Sequence, residues 1–329
     1  SSVGWNPVTR VRFLPPDEVP GNEPPELPTP AEIAGYTRGK EMFRALLAEL
    51  DLRQGISGVQ PKLLGAPAER EKLSPDLRQF RGSTHILKAS TDRFPFLAVI
   101  ERTCLEVFQA AGLATPHTTL SADGELLLVE RFDIRAQSHC VGFEEAAALM
   151  GETSATKYQR DYGSMIESLV QFVAPHQEDS IRRPLTKALL LNHLLGNGDA
   201  HLKNFGVLYE DPARVTLAPF YDCVSPLPYI PEDVPALALS FEWYSKAWWP
   251  RRKIEDFATD YGGLSPAETA RMIEECRSAV DQGIDTVTRF GREIPGFGAL
   301  ARRIAQLWRE RVTAFAMEET GLKRRRTRR

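Results

Sequence analysis

Two short stretches of this chain hold residue types whose spacing could do chemistry. Residues 196–204 read Gly-Asn-Gly-Asp-Ala-His-Leu-Lys-Asn, and Phe-Tyr-Asp stands at 220–222. Asp199 is followed five positions later by Asn204, then by Asp222 behind a short strand-like run. A carboxylate in a Gly-rich loop can orient a hydroxyl and take its proton. An amide oxygen and a second carboxylate can hold Mg²⁺ on the phosphates of a nucleotide. In this order the set suits phosphoryl transfer from ATP. Asp199 alone would read as a turn former or a helix cap; Asn204 and Asp222 change that reading.

Such chemistry needs a clamp on the phosphates. Lys88 lies in the strand-like segment Ile86-Leu87-Lys88, and Glu101 opens the following helix thirteen residues later, where it could pair with the ammonium. Glu106 is the other carboxylate in range, and Glu101 could equally be a first-turn dipole residue. Residues 55–62, Gly-Ile-Ser-Gly-Val-Gln-Pro-Lys, form the candidate phosphate-covering loop, where Gly58 permits close backbone approach and Lys62 adds charge. It is not a Walker A loop. Backbone groups around Glu130 to Phe132 could bind adenine at a hinge. His201 could contact phosphates or brace its own loop. Trp243, Trp248 and Trp249 read as core or a helix-packing surface.

The elements that must position these groups change character along the chain. Residues 1–30 carry seven prolines between Pro15 and Pro30, which favours an extended arm. Residues 31–50 have helical periodicity, with Met42, Phe43, Leu46, Leu47 and Leu50 on one face. A strand–loop–strand is expected around 55–65, a strand at 83–90, a helix at 97–111 capped by Gly112, and strands at 115–121 and 125–132 around Ala122-Asp123-Gly124. Beyond a linker near 132–142, helices are expected near 144–151, 160–174, 185–196, 253–259, 265–290 and 297–319, with a β pair at 204–209 and 215–218. The expectation is an α+β, two-lobed fold. Its parts are a Pro-rich arm (1–30), a small β-rich N-lobe with the Gly-rich loop (31–135), a larger helical C-lobe (136–320) and a basic tail (321–329).

Bulk properties narrow the classes. The 329 residues are 42% apolar and 26% charged, with a net charge of −3, so the molecule as a whole is no electrostatic nucleic-acid binder. Six of the last seven residues are basic, which reads as a solvated tail. Cys104, Cys140, Cys223 and Cys276 show no metal-ligand spacing, and they suit buried thiols in a reducing cytoplasm. No signal peptide or membrane span is expected.

With these residues in hand, the chain resembles the HipA family of bacterial Ser/Thr kinases, the toxins of type II toxin–antitoxin systems. The resemblance rests on Gly55-Ile-Ser-Gly-Val-Gln-Pro-Lys62, Thr84-His-Ile-Leu-Lys88, Leu128-Val-Glu-Arg-Phe-Asp133, Asn197-Gly-Asp-Ala-His-Leu-Lys-Asn-Phe205 and Pro219-Phe-Tyr-Asp222. It implies ATP and Mg²⁺ as cofactors, Asp199 as base, and Asn204 and Asp222 as metal ligands. It further implies Lys88 on the nucleotide phosphates, Glu130 and Phe132 at the adenine hinge, and His201 and Lys203 in the catalytic loop. Members of the family silence themselves by phosphorylating a loop Ser. Here Gly55 occupies that position, and Ser57 is the hydroxyl expected to take its place. Only about 50 residues precede the loop, which is similar to the short HipT kinases. The implied partners are HipS-like and HipB-like antitoxin proteins, with DNA reached only through the latter. The implied substrate is an aminoacyl-tRNA synthetase, tryptophanyl first and glutamyl next. The alternatives are a catalytically silent kinase-fold scaffold or DNA-bound partner, and a small-molecule kinase.

Overall fold

The structure is a computed structural model that describes residues 26–49, 62–67, 84–134, 141–230, 237–240 and 248–326. The chain divides into two compact units. One takes the described residues up to Arg102 together with Pro116–Phe143; the other takes Thr103–Thr115 and the described residues from Glu144 onward. Gly55, Ser57, Gly58, Cys140 and Trp243 lie outside the described residues.

The first unit is built on a five-stranded sheet. In chain order its elements are β1 (Glu26–Leu27), α1 (Pro30–Gly35), α2 (Gly39–Glu49), β2 (Lys62–Pro67), β3 (His85–Ala89), the start of α3 (Leu97–Ala110), β4 (Thr118–Leu120) and β5 (Leu126–Glu130). The strand order is β1-β2-β3-β5-β4, so β3 is the central strand. Alternation along β3 assigns its faces. Leu87 and Ala89 share a buried cluster with Leu63, Leu126, Leu128 and, from the helices, Ile33 and Phe43. Ile86 faces the opposite way, into a cluster with Leu127, Val129 and Ala98 of α3. Lys88, two residues on from Ile86, belongs to this α3-facing side.

Two details differ from the sequence expectation. The last residues of the proline-rich arm carry structure: β1 pairs in parallel with β2, Leu27 is buried, and Thr29 caps α1 in a reciprocal bond with Glu32. The helix expected over 31–50 is interrupted at Tyr36. A carboxylate far along the chain explains the break. Asp123, in the β4–β5 turn, accepts the Gly39 N–H at 2.6 Å and so anchors the start of α2. A Cβ on Gly39 would stand 2.7 Å from Leu126 Cγ, so a larger residue would push the helix off the sheet.

The second unit is mainly helical: α4 (Ala146–Leu149), α5 (Tyr162–Val170), α6 (Asp179–Leu195), α7 (Arg251–Asp260), α8 (Pro266–Glu293) and α9 (Gly298–Arg326). The strands β6 (Gly142–Glu145, of which Glu144 and Glu145 belong to this unit), β7 (Gly206–Tyr209) and β8 (Val215–Leu217) form a three-stranded sheet in that order. The α+β expectation of a smaller β-rich part and a larger helical part holds. Among the described residues no helix is long and apolar enough to cross a membrane.

The unit is organised around α6, whose residues from Ala188 to Leu195 are all buried. Its C-terminal turn is fixed from outside. Arg311 Nε donates to the His193 carbonyl at 3.0 Å, and Trp308 Nε1 donates to Leu195 at 3.0 Å. The Arg311 guanidinium lies 3.9 Å from the Trp248 ring centre, a cation–π contact. Trp249 is buried against Tyr162 and Phe257, so these two tryptophans are core and helix packing.

His193 sits in this apolar nest between Trp248 and Phe315. Burial, helped by the Arg311 charge, pushes its pKa down to about 3. An unfolded histidine binds its proton near pH 6.5. Between about pH 6.5 and 3 the unfolded chain therefore holds a proton that the native chain refuses, and stability falls as pH drops through that window. His193→Phe keeps the ring contacts and removes the titration. Urea midpoints at pH 7 and pH 4 should show the variant losing about 2 to 3 kcal/mol less than wild type on acidification.

Candidate active site

Gly196 ends α6 with φ of 72°, a left-handed cap whose N–H returns to the helix. A Cβ there would stand 2.0 Å from Leu227 Cδ1, so any other residue would displace that leucine as well as strain the left-handed backbone. The chain then turns into the loop that carries Asp199. Asn197 shapes the turn: its amide nitrogen donates to Asn192 Oδ1 of α6 at 2.9 Å, and its own oxygen accepts the Asp199 N–H at 3.0 Å. Both asparagines are buried, and Asn197 ties the Asp199 backbone to α6 through these two bonds.

The rest of the loop is tied down residue by residue. The buried Tyr162 hydroxyl donates to the Ala200 carbonyl at 2.9 Å. The Leu202 N–H reaches the Lys157 carbonyl at 3.3 Å. The Tyr221 hydroxyl donates to the Lys203 carbonyl at 2.6 Å, and Asn204 Oδ1 accepts the His201 N–H at 3.0 Å. These bonds satisfy much of the loop's buried backbone. The strands that follow, β7 and β8, pair antiparallel with Val207 opposite Leu217, and this hairpin returns the chain to Asp222. Asp222 has φ of 51°, one of two non-glycine residues with positive φ among the described residues. Such strain is tolerated by Asp better than by most residues and gathers at functional sites.

Asn204 and Asp222 line one small concavity with Asn192, Asn197, Phe108, Phe205 and Phe220. Tyr221 and Cys223 line it too, and the side-chain oxygens of its asparagines and of Asp222 are of the kind that suits Mg²⁺, a hard cation that keeps most of its waters. Among the described residues no three His, Cys, Asp or Glu side chains gather into a metal cage. Lys203 lies 3.5 Å from Glu145 Oε2 and 3.5 Å from Ser154 Oγ. Burial raises the Glu145 pKa, Lys203 opposes that, and the Asp222 charge adds to it.

Asp199 is exposed, and its Oδ1 accepts the Tyr158 hydroxyl at 2.5 Å. His201 is buried, and its Nε2 lies 2.7 Å from Lys157 Nζ. Burial pushes the His201 pKa down against the pull of Asp199, with Lys157 adding to the depression. A neutral imidazole then accepts from the ammonium. His201 therefore braces the loop in this structure.

In the other unit Lys88 is buried and bonded to Glu101 of α3, in a pair whose side chains are only 4% and 1% exposed. Lys88 pairs across the sheet with Lys62 on β2 and Leu127 on β5. Glu130 ends β5 exposed, with its N–H on the His117 carbonyl, and Phe132 stands edge-on to Phe143 at 5.3 Å. Between them, Arg131 forms a buried fork to Asp133, at 3.0 and 2.6 Å. This bidentate pair fixes the segment so that Glu130 and Phe132 keep a defined backbone.

Sequence reasoning passed over Asn197, Lys157 and Tyr158. Asn197 stood inside the quoted motif, and an Asn between two glycines was its available signal. Lys157 and Tyr158 lie in a polar stretch, 152–161, without helical or strand period, where a loop tyrosine can carry function.

Comparison with known proteins agrees with this architecture. The family described as HipA-like C-terminal domain matches residues 54–284. A Sinorhizobium fredii protein named "Putative kinase Y4mE" is 31% identical over 252 residues, covering 72% of this chain and 59% of that protein. The protein named "Serine/threonine-protein kinase toxin HipA" of Shewanella oneidensis is 25% identical over 201 residues, covering 53% of this chain and 43% of that protein. The chain thus spans about half the length of these curated relatives. Among solved structures, a chain from the Shewanella oneidensis complex of HipA, HipB and operator DNA aligns with a TM-score of 0.66 and 18% identity, covering 94% of this chain and 76% of that one. The Helicobacter pylori proinflammatory kinase CtkA aligns with a TM-score of 0.54 and 13% identity, covering 82% of this chain and 94% of that one. At these identities the likeness is one of fold.

Proposed function

The chain belongs to the HipA-like C-terminal domain family, and from that premise we propose that it is an ATP- and Mg²⁺-dependent Ser/Thr protein kinase, the toxin of a bacterial toxin–antitoxin system. The observation that carries this reading is the Asp199 loop, whose backbone is fixed bond by bond while the Asp199 carboxylate itself stays exposed. A fixed backbone beneath an exposed carboxylate is what a general base for an incoming hydroxyl requires.

In this mechanism Asp199 accepts the proton of a Ser or Thr hydroxyl as the oxygen attacks the γ-phosphorus of ATP and ADP leaves. Mg²⁺, when bound, neutralises charge on the phosphates. Asn204 and Asp222 would hold it. Lys88, oriented by Glu101, supplies a positive charge to the nucleotide phosphates. Glu130 and Phe132 present backbone groups to adenine, and Gly58 lets its loop approach the phosphates. His201 and Lys203 keep the catalytic loop in register.

The finer reading is a kinase of the HipT type that phosphorylates an aminoacyl-tRNA synthetase, tryptophanyl first and glutamyl next, and so arrests translation in the cytoplasm. Ser57 is the proposed autophosphorylation site, since a phosphate there adds about −1.5 to −2 charge beside the nucleotide loop. The Shewanella oneidensis structure holds HipA with HipB and operator DNA. By analogy we assign this chain a HipB-like partner that contacts DNA, and a HipS-like antitoxin.

Radiolabelled ATP incubated with the chain and each purified synthetase tests the reading. Label should appear on one synthetase and vanish with Asp199→Asn. Mass spectrometry of the incubated chain should place phosphate on Ser57. ATP binding with no label on any protein would overturn the kinase reading, and phosphate solely at other positions would overturn the loop assignment.

A further inference from the structure

The segment between α4 and α5 straps onto the catalytic loop. It is itself folded: the Thr156 N–H bonds the Thr153 carbonyl, the Gln159 N–H bonds the Thr156 carbonyl, and Arg160 pairs with Glu152 at 2.5 Å. Besides Ser154 on Lys203, the dipeptide Lys157-Tyr158 makes three contacts with the loop. The Lys157 carbonyl takes the Leu202 N–H, the Lys157 ammonium meets His201 Nε2, and the Tyr158 hydroxyl donates to Asp199 Oδ1. The pieces also brace one another. The Tyr158 ring stands edge-on to His201 at 5.0 Å, and Lys157 Nζ lies 4.9 Å from the centre of the Tyr158 ring.

Accepting Asp199 as the base, we propose that Tyr158 is a positioning residue: its phenol holds Asp199 Oδ1 and so leaves Oδ2 as the oxygen that receives the acceptor's proton. An exposed aspartate would otherwise rotate about two side-chain torsions and seldom offer a lone pair along the attack line. A charge-assisted bond of 2.5 Å fixes it in one orientation. The phenol is suited to this task because it stays a donor. Burial first, then the bond to Asp199 and its charge, push the Tyr158 pKa up. Lys157 completes the device by anchoring the neighbouring His201, so both sides of Ala200 are held from one dipeptide.

Tyr158→Phe removes the hydroxyl and keeps the ring on His201. It should lower kcat about tenfold to a hundredfold, the range for losing one hydrogen bond to a charged group, with the KM for ATP and the melting temperature unchanged. In an Asp199→Asn background the same substitution should have no further effect, because there is no base left to position. An equal drop in both backgrounds, or a fall in melting temperature that accounts for the loss, would make Tyr158 merely structural and overturn the proposal. A faster Tyr158→Phe enzyme would also overturn it, by making the phenol a competitor of the acceptor hydroxyl. Should the wild type transfer no phosphate to any acceptor, the kinase reading fails by itself. The positioning claim is then decided by a room-temperature crystal structure of Tyr158→Phe. Asp199 spread over several rotamers upholds it; one unchanged rotamer overturns it.

Discussion

Asp199→Asn lowers phosphotransfer by about a hundredfold to ten-thousandfold and leaves the fold intact: this is the expected result for the loop carboxylate. The magnitude is that of removing a general base. The fold should survive because Asp199 is exposed and its place in the chain is set by backbone bonds, its N–H to Asn197 Oδ1 among them. The amide is nearly isosteric and can still accept the Tyr158 hydroxyl through its oxygen, so the loop keeps its shape while losing one charge and one proton acceptor. Circular dichroism and a melting curve should superimpose on wild type while the label-transfer rate collapses. The KM for ATP should change little, since the lost interaction belongs to the transition state. Unchanged transfer would remove Asp199 from the role of base. A large fall in melting temperature with proportional loss of activity would make it a structural residue of the loop.

What the sequence could disclose depended on how local each cause was. The face assignment of Lys88 was within reach, because period-two alternation over Ile86-Leu87-Lys88 needs only neighbours. Four consecutive residues of β5 show the opposite limit. Leu126 to Val129 are buried on both faces, so the run has no alternation, and only β propensity and the flanking Gly124 signalled a strand. The helix expected over 185–196 in fact begins at Asp179, with Pro184 inside it. A proline near a helix start loses only one bond to the preceding turn, which is tolerable when Ile181 and Leu185 are buried. The split between α1 and α2 had a distant cause, Asp123, and no window around Tyr36 contains it. The same holds at the candidate site. Asp199, Asn204 and Asp222 could be found by type and spacing. Tyr158, 41 residues before Asp199, could be found only once the fold had brought its hydroxyl to the carboxylate.

The second large effect is expected at the buried pair of the other unit, where stability and chemistry can be pulled apart. Glu101→Ala should destabilise the protein by about 3 to 5 kcal/mol, because it removes the carboxylate paired with the buried Lys88 ammonium. Removing both charges is a different matter. Lys88→Met with Glu101→Leu trades two desolvated ions for apolar side chains of similar size, a change that is often neutral or stabilising by about 1 to 4 kcal/mol. The pair is therefore weakly justified by stability alone: a chain selected only to fold could do as well with hydrophobes on this face of β3. If the ion pair exists to present a charge to nucleotide phosphates, the double variant should recover the urea midpoint of wild type and still fail to transfer phosphate. Its affinity for Mg-ATP, read by calorimetry, should fall by at least tenfold, the loss of about 1.4 kcal/mol that removing one charge-assisted contact implies. Recovery of both the midpoint and the activity would make the pair a fold-specificity device. Recovery of the midpoint alone ties the charge at Lys88 to the nucleotide, since the double variant lacks no other ionisable group of the wild-type chain.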